Sequence, residues 1–167
     1  MSEKSEDMIF TDGENNLIVK SNIIRLFKKY EQKNSDYESG GILLGYIYSN
    51  YVEIIKIITP SKLDSFGRFF FIRSKERAQR KIDKYWYKSK GILNYVGEWH
   101  THSTINPIPS ETDKESIKKT FEMTILDINF LYTIIVGQKN TYWIGKQTKQ
   151  RLIELNKIIE KKKIIFK

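Results

Sequence analysis

The two histidines of this chain, His100 and His102, stand one residue apart, and the residues around them admit few structures. Upstream, Ile92–His102 is a largely apolar run, the pattern of a buried strand. Downstream, Ser103–Pro109 holds two of the three prolines. That run cannot continue a strand or a helix, because proline fixes φ and has no backbone N–H to donate. Ser110 then stands where a helix should begin, and a helix is predicted from about Glu111 to Met123.

Successive side chains alternate across a strand, so His100 and His102 project from one face while Trp99 and Thr101 pack on the other. Asp113 falls one turn inside the helix, where its carboxylate can fold back toward the strand end. Two imidazoles and a carboxylate form a three-ligand set of the kind that catalytic zinc sites use, with the fourth position left for water. The chain has no cysteine, which excludes disulfides, thiolate zinc fingers and a cysteine nucleophile. A second reading stays open at this point. Ser110-x-x-Asp113 is also a helix capping box, in which serine accepts from a backbone amide and the carboxylate favours the helix dipole.

Elsewhere the pattern predicts a strand at Leu17–Lys20 and a helix capped by Ser21 that runs to about Gln32. Asn34–Glu38 reads as polar loop. Gly40–Tyr48 and Tyr51–Thr59 form a hairpin around Ser49-Asn50. Pro60–Gly67 reads as loop and Arg68–Ile72 as a short strand. Ser74 caps a helix over Lys75–Ser89 that Gly91 closes. Phe130–Val136 and Thr141–Gly145 are strands around a turn at Gly137–Asn140, and Arg151–Ile165 fits neither period. Strands and helices in this order predict an α/β fold, with a mixed and mainly antiparallel sheet flanked by helices.

At 167 residues the chain is most economically one domain. We expect a polar N-terminal segment over 1–16, the domain itself over 17–156, and a basic tail over 157–167. Met1–Asp7 is polar and acidic, unlike a signal peptide, and no run approaches the ~20 apolar residues of a membrane span. The expected location is cytoplasmic, with no membrane partner. The net charge of +9 permits nucleic acid, anionic lipid or an acidic protein surface as partner. It is concentrated in Lys75–Lys90 and in the tail (Lys157, Lys161, Lys162, Lys163, Lys167), where the plain reading is a solvated helix face and a solvated tail.

The pattern His100-x-His102-x7-Ser110-x-x-Asp113 resembles the JAMM motif of the MPN/JAB family of zinc-dependent peptidases and isopeptidases, whose domain is a cytidine-deaminase-like α/β sandwich. Glu38, in Glu38-Ser-Gly-Gly-Ile-Leu-Leu-Gly45, resembles the segment that carries that family's upstream glutamate, and the likeness extends from about Leu17 to Gly145. The resemblance implies that His100, His102 and Asp113 ligate Zn²⁺, that Glu38 is the general acid/base, and that Ser110 stabilises the oxyanion. Judged without it, Glu38 is an ordinary loop carboxylate. Glu98 shares the strand face of His100 and is expected to support the site, either by orienting an imidazole or as a further carboxylate beside the metal. Ser103 departs from the proline common after the second histidine.

The segments around Glu38 and Gly97–His102 look most like the compact bacterial branch. It includes the peptidases of CBASS-type anti-phage systems, which remove nucleotidyltransferase (CD-NTase) conjugates made by an E1/E2-like ligase. The implied activity is hydrolysis of the amide after the C-terminus of a ubiquitin-like modifier or conjugated protein. Two alternatives stand beside it: a DNA-associated protein resembling the RadC type, and a non-catalytic MPN scaffold. Nucleic acid is not the expected partner.

Overall fold

The computed structural model describes residues 6–33, 36–68 and 70–159. The predicted basic tail, from residue 160 onward, lies outside them. Among the described residues the first elements are β1 (Met8–Thr11), β2 (Asn16–Val19), α1 (Ser21–Tyr30), β3 (Gly40–Ile47) and β4 (Tyr51–Ile58). A small hairpin follows, β5 (Ser65–Gly67) with β6 (Phe70–Ile72), and then α2 (Lys75–Lys88), β7 (Asn94–Thr101) and α3 (Glu111–Met123). The chain continues through β8 (Phe130–Val136), β9 (Tyr142–Thr148), β10 (Leu152–Glu154) and β11 (Asn156–Lys157).

Nine of these strands form one sheet in the order β10-β9-β8-β7-β3-β4-β2-β1-β11. The pairs β2/β4 and β7/β8 are parallel and the others antiparallel, so the sheet is mixed and mainly antiparallel, as expected. Its two outermost strands, β10 and β11, are successive pieces of chain separated by Leu155. Leu155 N donates to Ile144 O on one side, and Ile158 N donates to Ile9 O on the other. The sheet therefore curls until one chain segment joins both of its edges. An ion pair spans the same seam. Lys146 Nζ lies 2.7 Å from Asp12 Oδ2, with both side chains nearly buried.

The central strands β3, β4, β7 and β8 carry the core. Leu43, Ile54, Val96, Trp99 and Ile134 are among its buried residues, and α1 closes one side with Ile23, Ile24 and Phe27. Two close approaches require glycine. A Cβ on Gly41 would stand 1.8 Å from Ile58 O, on the strand next to it. Gly97 has φ +152°, and a Cβ there would meet Tyr132 O at 1.9 Å. The β3/β7 register shifts at Leu43/Leu44, opposite this residue, so a bulge sets the path of β7 into the histidines.

The helices and the central hairpin follow the sequence pattern closely, and the differences have physical causes. Ser21 is the first residue of α1 and not its cap. Lys20 occupies the cap position, and Asp7 Oδ1 accepts from Ser21 N at 2.7 Å, a cap supplied from outside the local sequence. The helix ends at Tyr30, short of Gln32. The loop 60–67 contains β5, and the polar segment 1–16 contributes β1 to the sheet. β9 runs three residues beyond Gly145, where Gly145–Gln147 pair with β10. The ambiguous stretch after Arg151 supplies the two short strands of the seam.

Gly41→Ala is expected to destabilise the protein by more than the ~1–3 kcal/mol typical of overpacking, because the contact is with backbone that cannot move aside. Thermal unfolding followed by circular dichroism checks this, and an unchanged Tm would contradict it.

Candidate metal centre

His100 lies on β7 and His102 one residue beyond its end. Trp99 and Thr101, on the opposite face, are 1% and 0% exposed, so the strand cannot rotate to carry the imidazoles elsewhere. Trp99 is fixed by a hydrogen bond from Nε1 to Ile58 O and by ring contacts with Phe27 and Tyr30. After the strand, His102 N donates to Val136 O and Gln138 N to Thr104 O, which ties the proline loop to the end of β8. The imidazole rings stand 5.0 Å apart, and both histidines are half-buried.

Asp113 sits at the third position of α3. The capping box is present: Asp113 N donates to Ser110 Oγ at 3.1 Å, and Ser110 N donates to Asp113 Oδ2 at 2.7 Å. Ser110 Oγ also donates to Oδ2, at 2.7 Å. The same carboxylate reaches the histidines, with His100 Nε2 at 3.2 Å from Oδ1 and His102 Nε2 at 3.3 Å from Oδ2. The capping reading of Ser110-x-x-Asp113 therefore holds, and the same cap turns the carboxylate toward both imidazoles.

Glu38 is 8% exposed, and its carboxylate joins His100 and His102 in a group whose ligand atoms lie within 4.8 Å of one another. A clamp puts it there. Ser39 N donates to Thr101 Oγ1, and Thr101 N donates to Ser39 O, both at 2.9 Å. Thr101 Oγ1 also contacts Gln32 Oε1 at 3.3 Å, while Glu38 N donates to Gly67 O at 2.8 Å. Thr101 and Gln32 were not singled out from sequence. A threonine between two histidines, facing the core, was the one available signal.

The electrostatics follow from this crowding. Burial raises the Glu38 carboxyl above its ordinary value, the nearby imidazoles oppose the rise, and Asp113 adds to it. Burial would also raise Asp113, but hydrogen bonds to His100 and His102 outweigh it and hold this carboxyl far below the usual range. The Asp113 hydrogen bond raises His102 despite burial, with Glu38 and the Ile108 backbone adding to the effect.

Glu98 departs from expectation. Its Oε1 pairs with Arg73 Nη2 at 2.5 Å and accepts from Tyr95 Oη at 3.1 Å, so its partners are a cation and a phenol, not an imidazole. A cavity of about 350 Å³ lies between β7, β8 and α3, lined by Glu38, Arg73, Glu98, His100 and Asp113. No helix among the described residues is long and apolar enough to cross a membrane.

Residues 20–152 match the family described as prokaryotic homologs of the JAB domain. A CD-NTase/cGAS isopeptidase of Escherichia coli is 31% identical over 153 residues, 90% of this chain and 95% of that one. A CD-NTase/cGAS isopeptidase of Vibrio cholerae is 27% identical over 154 residues, 91% and 96% of the two chains. The solution structure of a Desulfitobacterium hafniense protein shares the fold. Its TM-score is 0.57 at 18% identity, over 83% of this chain and 87% of that one.

Thr101→Val keeps the shape of the side chain but leaves the Ser39 amide unpaired, at an expected cost of about 1–3 kcal/mol. Hydrogen exchange at the Ser39 amide should accelerate accordingly, and an unaltered exchange rate would contradict the clamp.

Proposed function

The chain belongs to the prokaryotic JAB-domain family, and on that premise we propose that it is a zinc-dependent isopeptidase. Its reaction is hydrolysis of the amide between the C-terminus of a conjugated protein, or ubiquitin-like modifier, and its target. The names of the Escherichia coli and Vibrio cholerae relatives point to a conjugated CD-NTase as substrate, in a CBASS-type anti-phage system. Residues 17–156 are taken as the catalytic unit, acting in the cytoplasm.

The observation that carries this reading is the convergence of four side chains from three separate parts of the chain. His100, His102 and Asp113 would hold the ion. His100 Nε2 lies 3.2 Å from Asp113 Oδ1 and His102 Nε2 3.3 Å from Oδ2, so the carboxylate stands beside both imidazoles, the residue types that zinc takes. His100 Nε2 is buried and faces the Asp113 carboxylate at 3.2 Å, where a shared ion would replace that contact. Bound zinc supplies Lewis acidity, which acidifies a water molecule and polarises a carbonyl.

Glu38 is the base in this reading. Its carboxylate takes the proton of the attacking water and returns it to the nitrogen of the leaving amine, a role that typically contributes ~10²–10⁴-fold. Burial helps by raising the carboxyl toward the pH at which it both accepts and releases a proton. Ser110 has two tasks. Its hydroxyl holds Asp113 in the present structure, and rotation of the O–H toward the substrate would let it donate to the developing oxyanion.

Two measurements test this. Glu38→Ala should retain zinc by metal analysis but lose at least ~10²-fold in cleavage of a conjugate, whereas Asp113→Ala should lose both zinc and cleavage. Full activity in Glu38→Ala would refute the mechanism. In chelator-treated protein, the His102 imidazole should titrate above its ordinary 6.5. Because its folded pKa is raised, its contribution to stability is complete below 6.5 and is lost as pH rises through the elevated value. Zinc should abolish that titration in an NMR experiment, and an unmoved titration would exclude His102 as a ligand.

A further inference from the structure

Between Arg73 and Lys90 eight lysines and arginines face two carboxylates, so most of the net charge of +9 belongs to α2 and its flanks. The helix is also thinly covered. Of its fourteen residues, all described, only Ala78 is fully buried, while Trp86 and Tyr87 are 44% and 74% exposed. Between α2 and the end of α3 runs a groove of about 570 Å³, walled by Ile82, Trp86, Met123, Ile125 and Ile128. Ile125 is fully exposed and Met123 65% exposed. Exposed apolar side chains gathered along one groove mark a candidate interaction site.

Two features say what fits there. Lys75 and Lys119, both exposed, line the groove with Arg73 against Asp83 and Asp127, and the segment Arg73–Lys90, with eight basic and two acidic residues, adds a positive field. Moreover, Arg73 and Thr120 line both this groove and the cavity that holds Glu38, His100 and Asp113. The groove therefore adjoins the cavity, with Arg73 and Thr120 at their common border.

We infer that the groove is an exosite for an acidic segment of the conjugated substrate, which seats an apolar side chain between Trp86 and Ile125 and places its carboxylates on Lys75 and Lys119. The inference rests on the isopeptidase reading. Nucleic acid fits less well, because single strands need successive stacking platforms along a basic track, and this lining offers two aromatic rings, Trp86 and Tyr95, beside two carboxylates, Asp83 and Asp127.

Fluorescence anisotropy with Glu38→Ala protein tests the groove without turnover. The probes are a labelled peptide alternating Asp/Glu with Leu, its Asn/Gln counterpart, and labelled single-stranded DNA. The acidic peptide should bind about tenfold tighter than the amide peptide. Ile125→Asp and the double variant Lys75→Glu/Lys119→Glu should each weaken it by about tenfold. All three positions are exposed, so these variants should fold. In turnover, the double variant should raise KM about fivefold more for a fusion bearing the acidic segment than for one lacking it. Unchanged peptide binding in both variants, or tighter binding of DNA than of the acidic peptide, overturns the exosite. Groove-dependent binding with no cleavage of either fusion by wild-type protein overturns the isopeptidase reading and not the groove.

Discussion

Because Gly41 has no Cβ, the carbonyl of Ile58 occupies the space where a side chain would stand, and β3 packs closely against β4 at this point. That approach lets the Trp99 indole donate to Ile58 O and fixes the buried face of β7. With that face fixed, the opposite one has no choice but to present His100. The register then places Gly40 opposite His100, which brings the segment just before β3, and Glu38 with it, to the imidazoles. A core contact at a single glycine thus determines the geometry of a polar cluster on the far side of the strand.

The polar cluster is held by bonds that serve two purposes at once. The Asp113 carboxylate completes the start of α3 and also faces both imidazoles. Thr101 is part of the buried face of β7 and also accepts from the Ser39 amide. Structural and chemical demands therefore fall on the same atoms. Substitutions at Ser110, Asp113 or Thr101 will show mixed effects on stability and on the site, whereas Glu38, which caps nothing, separates the two.

Much of the fold was legible because its longer elements have clear periods and punctuation. Glu111–Met123 and Phe130–Val136 appear with the bounds read from sequence. The parts that were not legible depend on distant partners. Strands of two to four residues, such as β1, β10 and β11, are too short to show a period, and pairing across the seam defines them. The cap of α1 comes from Asp7, which no local pattern links to Ser21. At the site, the histidines and Asp113 could be related through strand alternation and the proline loop. Glu38 lies far away in sequence and was singled out through family resemblance, since nothing local distinguishes it from other loop carboxylates. Glu98 had the right face, but Arg73, from the end of the small hairpin, has claimed it.

The curled sheet has a consequence for how the protein breathes. The contact that assembles the site joins residues 62 apart, whereas the Lys146–Asp12 contact across the seam joins residues 134 apart. Closing the longer loop costs only roughly 0.7 kcal/mol more, because this entropy grows with the logarithm of length. The seam is nevertheless thinly built, with two paired residues between β1 and β11, whereas six pairs join β3 to β7. The ring can therefore unzip at its edges and re-form while the strands under the histidines stay paired.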